Sequence, residues 1–122
     1  MKQLENKIAI FTCGTRGIGF STVEAFLQEG ATVILCGSRP ESAEKAVQAL
    51  KAQDPDAKVE GISPELSDYE SVKAAFDAVA EKYGRIDILV NNAGMSDATP
   101  FADYTPEQFQ KVMDLNVNGM FN

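Results

Sequence analysis

Apolar and polar positions along the chain alternate between two kinds of segment. Short runs that are apolar at nearly every position read as strands: Lys7-Ile8-Ala9-Ile10-Phe11, Ala31-Thr32-Val33-Ile34-Leu35-Cys36, a weaker run from Ala57 to Ile62, and Ile86-Asp87-Ile88-Leu89-Val90. Between them, apolar residues recur at the spacing of a helix laid on a sheet. The first such segment carries Gly19, Val23, Phe26 and Leu27 and stops at Gly30. The second starts at Pro40, a residue suited to a first helical turn, and carries Ala43, Ala46, Val47 and Leu50 as far as Asp54-Pro55. A third opens at Ser67-Asp68-Tyr69-Glu70, which reads as a capping box, turns Val72, Ala75, Phe76 and Val79 inward, and stops at Gly84.

Strict alternation of such strands and helices predicts an α/β fold. It is a Rossmann-like, doubly wound parallel sheet covered by helices on each face, in three α/β/α layers. A last helix begins at Thr105-Pro106-Glu107-Gln108, again a capping box, and places Phe109, Val112, Met113, Val117 and Met120 on one side. It runs to Asn122 without a stop signal and without a following strand. The expectation is therefore one domain over residues 1–122 that is incomplete at its C-terminal side, a fragment of a larger sheet.

Bulk properties narrow the partners. The chain has 122 residues, enough for one core and too few for two ordinary domains. No apolar run approaches the about 18 residues of a membrane span. Met1-Lys2-Gln3-Leu4-Glu5-Asn6 has no apolar core of a secretory signal, which makes a soluble cytoplasmic protein the expectation. A net charge of −7 disfavours nucleic acid, because phosphate backbones want a basic face. With no histidine and only two cysteines, Cys13 and Cys36, no metal site is expected, and acid–base chemistry falls to Tyr, Lys, Asp or Glu.

Chemistry concentrates where strands end. Thr12-Cys13-Gly14-Thr15-Arg16-Gly17-Ile18-Gly19 joins the first strand to the first helix. Glycines there let the backbone approach a pyrophosphate, and the free N–H groups of the new helix point at its oxygens. The spacing is not G-x-G-x-x-G, since the glycines are Gly14, Gly17 and Gly19. At the end of the fourth strand, Asn91-Asn92-Ala93-Gly94 places two amides where packing alone would not want them, because buried amides need hydrogen bonds. Their plainer reading is turn chemistry. Asn116 follows Val112 by four residues and Met113 by three, so it interrupts the apolar side of the last helix and needs a partner. Such a partner is either a functional group or a local backbone carbonyl.

Together these motifs resemble the N-terminal half of the short-chain dehydrogenase/reductase family, and the resemblance covers essentially the whole chain. Thr12, Gly17, Ile18 and Gly19 match the family loop T-G-x-x-x-G-x-G, Asn91-Asn92-Ala93-Gly94 matches N-N-A-G, and Asn116 matches a helix asparagine of the active site. Among bacterial members the chain is similar to hydroxysteroid dehydrogenases and 3-oxoacyl reductases. The resemblance implies a cofactor bed made of Cys13, Gly14, Thr15, Arg16, Gly17, Ile18 and Gly19, with Asn92, Ala93 and Gly94 along the adenosine and ribose. It also implies Glu65-Leu66 at the adenine, where the family has Asp and an apolar residue, and Asn116 as a catalytic residue that helps hold a water in a proton relay. The family's catalytic serine and Tyr-x-x-x-Lys pair fall beyond Asn122. Tyr69 and Lys73 have that spacing, but on a helix opened by its own cap, and are rejected as the pair.

Cys13 departs from the family by replacing its first loop glycine. A side chain there disfavours positive φ, and the expectation is that Gly14 supplies the permissive backbone, that cofactor binding is weakened, and that Cys13 has no redox role. Cys36 ends the neighbouring strand, yet a disulfide is not expected in the cytoplasm. About 20 residues past the loop, where an acid would hold the ribose of NAD, stand Gly37, Ser38 and Arg39. Arg39 and Ser38, joined by Arg16, suit a 2′-phosphate and make NADP the expected cofactor, with NAD the alternative if Arg39 is solvated and Glu41 takes the acid's place. The resemblance implies that the intact protein acts on a small alcohol or ketone and assembles as a homo-oligomer, as family members commonly do through the helix that here begins at Thr105. The competing expectation is a nucleotide-binding or partner-binding module without catalysis. A methyltransferase-like or flavodoxin-like sheet explains neither N-N-A-G nor Asn116.

Overall fold

The computed structural model describes residues 2–122, so Met1, the first residue of the segment read for a targeting signal, lies outside it. Four strands, β1 (Ile8–Thr12), β2 (Thr32–Cys36), β3 (Val59–Ile62) and β4 (Ile88–Asn91), form a parallel sheet in the order β3-β2-β1-β4. Helices α1 (Gly17–Gln28), α2 (Pro40–Gln53) and α3 (Tyr69–Tyr83) are the crossovers. β1 is buried along its whole length, and Ile10, Phe11, Val33, Ile34 and Leu35 are fully enclosed, as strands covered on both faces must be.

The two faces carry separate cores. On one, Ala9, Phe11, Val33 and Leu35 meet Val23 of α1 and Ala43, Ala46, Val47 and Leu50 of α2. The Phe11 and Phe26 rings meet there edge to face, 4.8 Å between centroids. On the other, Ile8, Ile10, Ile34 and Cys36 meet Val79 of α3, with Phe76 and Tyr83 partly buried beside it. This is the doubly wound arrangement predicted from the alternation. The expected stops stand too, with α1 and α3 ending just before Gly30 and Gly84.

One cap differs from its prediction. Asp68, not Ser67, caps α3, its carboxylate accepting from the Glu70 amide at 3.1 Å. The Ser67 hydroxyl instead donates to Glu65 at 2.8 Å, so two short polar side chains competed for the cap and the nearer one took it.

After a single 3₁₀ turn (Phe101–Asp103), α4 (Pro106–Met113) opens with the predicted capping box, Thr105 and Gln108 bonding each other's backbone amides at 2.8 and 3.2 Å. It continues through a π-helical segment (Asp114–Asn118) into α5 (Gly119–Phe121). The expected apolar side is not enclosed: Phe109, Val117, Met120 and Phe121 are all more than half exposed. Among the described residues no helix is long and apolar enough to cross a membrane.

Candidate cofactor-binding site

Carboxyl ends of parallel strands, where neighbouring crossovers leave toward opposite faces, open a crevice. Here β1 and β4 are neighbours whose following segments are bonded to each other. The buried Thr12 hydroxyl accepts from the Asn92 and Ala93 amides, each at 3.0 Å, and donates to the Val90 carbonyl at 3.4 Å. The Asn92 side chain donates to the Cys13 carbonyl at 3.0 Å. Thr12 was read only as part of a motif, yet it ties the loop after β4 to the loop after β1.

The loop geometry corrects the expectation for its first residues. Cys13 itself adopts the left-handed conformation, at φ 61°, and Gly14 does not. An L residue there costs on the order of 1–2 kcal/mol. Gly14 is needed for space instead, because a Cβ on it would meet Leu35 Cβ at 2.9 Å and Val23 Cγ2 at 3.2 Å. Its amide is also committed, donating to the Cys36 carbonyl at 3.1 Å. Gly17, at φ 62° with open space around it, permits the turn into α1, whereas Gly19 sits so close to the loop that a Cβ would lie 2.2 Å from the Cys13 carbonyl oxygen.

The start of α1 is bare. Its N-cap residue, Arg16, makes no side-chain capping bond, and no acid stands in the first turn. The first-turn N–H groups therefore keep both their unmet hydrogen-bonding capacity and the positive end of the helix dipole. The N-cap residue Arg16 also lines a cavity of about 560 Å³, together with Cys13, Thr15, Ser38, Arg39, Glu65, Leu66, Ala93 and Gly94. Gly17 and Ile18 face an adjoining open depression on α1, with Ile18 exposed. Gly14, Gly19 and Asn92 shape the loop from behind. Sequence reading missed Ser42, Pro64 and Leu115 as lining residues, and Gly37 and Cys36 although both had been named. Ser42 carried a usable signal, one turn into the helix that begins beside Arg39.

Arg16 and Arg39 are exposed and have no ion-pair partner among the described residues, unlike Lys73, Lys82 and Arg85. Glu65 is the one carboxylate along the cavity, and its backbone amide is tied to the Ser71 hydroxyl at 2.9 Å. Burial pushes the Cys36 thiol up to about 12, with neighbouring Cys13 adding to the shift, so Cys36 stays a neutral thiol. Both cysteines are free.

Asn116 lies in the π-helical segment, and its amide is fully engaged with one residue. Oδ1 accepts from the Met95 amide and Nδ2 donates to the Met95 carbonyl, both at 2.9 Å. The partner is thus a backbone 21 residues away, not a local carbonyl. Asn116 pins the segment that follows Gly94. Tyr69 is half exposed at the start of α3, and Lys73 pairs with Asp77 at 2.5 Å, so that pair stands apart from the cavity.

A parallel Rossmann-like sheet, a glycine loop opening into an uncapped helix, and an N-N-A-G segment strapped to that loop together make the carboxyl edge of an α/β nucleotide-type fold. The family model for the short chain dehydrogenases matches residues 7–122, and the chain belongs to that family. It is 52% identical over 119 residues to a 3alpha-hydroxysteroid dehydrogenase of Mediterraneibacter gnavus, covering 98% of this chain and 48% of the relative. It is 32% identical over 119 residues to an NADP-dependent (R)-specific alcohol dehydrogenase of Lentilactobacillus kefiri, covering 98% and 46%. The crystal structure of levodione reductase superposes with a TM-score of 0.90 at 32% identity, over 98% of this chain and 46% of that one. The chain spans about half the length of the relatives it matches.

Proposed function

We propose that this chain is the cofactor-binding part of a short-chain oxidoreductase that prefers NADP to NAD, and that it is inactive by itself. One observation carries the reading: Arg16, the N-cap residue of the bare start of α1, lines one groove with Ser38 and Arg39, with no carboxylate at the end of β2. The residues fit a dinucleotide. The first-turn amides of α1 receive the pyrophosphate, Arg39 and Ser38 receive a ribose 2′-phosphate, and Ala93 and Gly94 flank the ribose. Glu65 and Leu66 lie where an adenine edge is read, and Asn116 keeps the Gly94–Met95 backbone in place beside the groove.

When bound, the nicotinamide supplies hydride chemistry at an alcohol or ketone carbon. The complete protein then acts on a small alcohol or ketone, of hydroxysteroid or 3-oxoacyl type, as a cytoplasmic homo-oligomer. The name of the Mediterraneibacter gnavus relative favours the steroid, and the printed NADP dependence of the Lentilactobacillus kefiri relative favours the cofactor choice. The acidic balance of the chain supports a small ligand over nucleic acid. A second reading, binding of a nucleotide or a protein partner without catalysis, draws on the exposed apolar side chains Phe109, Val117, Met120 and Phe121.

Calorimetric titration of the chain with NADPH and NADH tests the cofactor reading. Saturable binding of NADPH in preference to NADH is expected, and Arg39→Asp is expected to weaken NADPH by about tenfold or more while changing NADH little. An unchanged ratio of the two affinities refutes the NADP assignment. No saturable binding of either removes the cofactor claim.

A further inference from the structure

We infer that Cys13 and Cys36 are a redox-sensitive thiol pair in the wall of the cofactor groove, which a small-molecule disulfide converts to a protein disulfide that shuts the groove to the cofactor. For its effect on binding the inference rests on the cofactor reading above, and it reverses the sequence expectation that Cys13 has no redox role. Both residues line the same cavity of about 560 Å³. Both thiols are free, and neither makes a hydrogen bond among the described residues.

Backbone geometry sets the two side by side. β1 and β2 run in register as far as Phe11 opposite Leu35, so the next pair is Thr12 and Cys36. The Gly14 amide, not that of Cys13, then donates to the Cys36 carbonyl at 3.1 Å. Cys13, left-handed at φ 61°, thus stands as an extra residue between two that meet Cys36. Neighbouring strands lie about 4.8 Å apart, within the range of about 4.4–6.8 Å between Cα atoms that a disulfide spans. Access separates the two thiols: Cys13 is half-buried, whereas Cys36 is 2% exposed. Burial, with neighbouring Cys13 adding to it, holds Cys36 neutral, so Cys13 reacts first.

The Cys13 thiolate attacks one sulfur of the reagent, breaking its S–S bond and releasing one thiol, which takes up a proton. The Cys36 sulfur then attacks Cys13 Sγ of the mixed disulfide and gives its proton to the second released thiol. Two protein thiols are oxidised as one reagent disulfide is reduced to two thiols. Turning Cys13 toward Cys36 moves the Cys13 carbonyl, which accepts from the Asn92 side chain at 3.0 Å, and so undoes the strap between the two loops. Transient disulfides of this kind are the redox-sensing use of cysteine in a reducing compartment.

The test treats the wild type, Cys13→Ser and Cys36→Ala with oxidised glutathione, with and without saturating NADPH. Intact mass after alkylation reads the thiols, and calorimetric titration with NADPH reads the groove. The wild type should lose both alkylatable thiols without retaining glutathione, and bound NADPH should slow that loss. Its NADPH affinity should fall about tenfold or more, because the closed form is not competent to bind, and dithiothreitol should restore it. Cys36→Ala should stop at the glutathione adduct on Cys13. Cys13→Ser, compared with itself before treatment, should keep its affinity. Two thiols still alkylatable in the treated wild type, a glutathione adduct as its final product, or a disulfide that leaves NADPH affinity unchanged each overturns the inference and leaves the cofactor reading intact. Reduced wild type that binds neither NADPH nor NADH refutes the cofactor reading and the gating with it.

Discussion

Two strand-to-helix junctions lie side by side at the carboxyl edge of the sheet, and they treat their helix starts in opposite ways. The junction from β1 to α1 is short, spanning residues 13–16, and leaves the first turn of α1 without a side-chain cap. The junction from β4 to α4 is long, spanning residues 92–105, and apart from Asn92, whose side chain reaches the Cys13 carbonyl, its polar side chains bond within it or with the helix that follows. Thr105 and Gln108 complete a capping box, Asp97 accepts from Thr99 and Gln108, and Asn116 holds the Met95 backbone. Those bonds to Thr99, foremost among its contacts, hold the Asp97 carboxyl below its usual range. A helix end whose donors are already satisfied offers a ligand nothing, whereas one kept bare beside a cavity is available for an anion. The second junction works as scaffold for the first.

Breaking the close packing of the first junction gives the largest effect. Gly19→Ala drives a methyl toward the Cys13 carbonyl and the Asn92 amide, 2.2 and 2.6 Å from the added carbon, and the backbone has to move. The expected cost is about 1–3 kcal/mol in urea unfolding, together with loss of NADPH binding as Asn92 is displaced from the loop. Unchanged affinity would mean that the strap between Cys13 and Asn92 does not shape the cradle.

Relieving strain in the same junction gives a smaller effect of opposite sign. Cys13→Gly removes a left-handed cost of about 1–2 kcal/mol but adds unfolded-chain entropy of about 0.4–1 kcal/mol. A net gain of about 1 kcal/mol is expected in the unfolding free energy. A loss would show that the Cys13 side chain contributes more through packing than its conformation costs.

The sheet and its first three helices were legible because strands enclosed on both faces and helices laid on them leave opposite periodicities. Ala43, Ala46, Val47 and Leu50 could be read directly as the buried face of α2. What stayed hidden depends on contacts distant in sequence. Nothing near Asn116 points to Met95, because that pairing exists only once the chain leaving β4 runs past the π-helical segment. The left-handed Cys13 was hidden for a different reason. Backbone preference assigned the turn to Gly14, but crowding by Leu35 and Val23 had already claimed Gly14 for its lack of a side chain. At Ser67-Asp68 the pattern placed the cap one residue early, the common limit where adjacent residues both favour that role. Within the groove, Ser38, Arg39, Glu65, Leu66, Ala93 and Gly94 after the strand ends were found, whereas Cys36, Gly37 and Pro64 there, and Ser42 and Leu115 arriving from helix faces, were not.

The most direct measurement is an amide ¹H–¹⁵N correlation spectrum of the chain recorded through an NADPH titration. The first-turn amides Gly17, Ile18 and Gly19 should shift saturably and together, while the Thr105 and Gln108 amides, already engaged in their capping box, stay in place. If the α1 amides remain fixed while NADPH binds, or if the largest shifts fall on α4, the bare start of α1 is not the phosphate cradle.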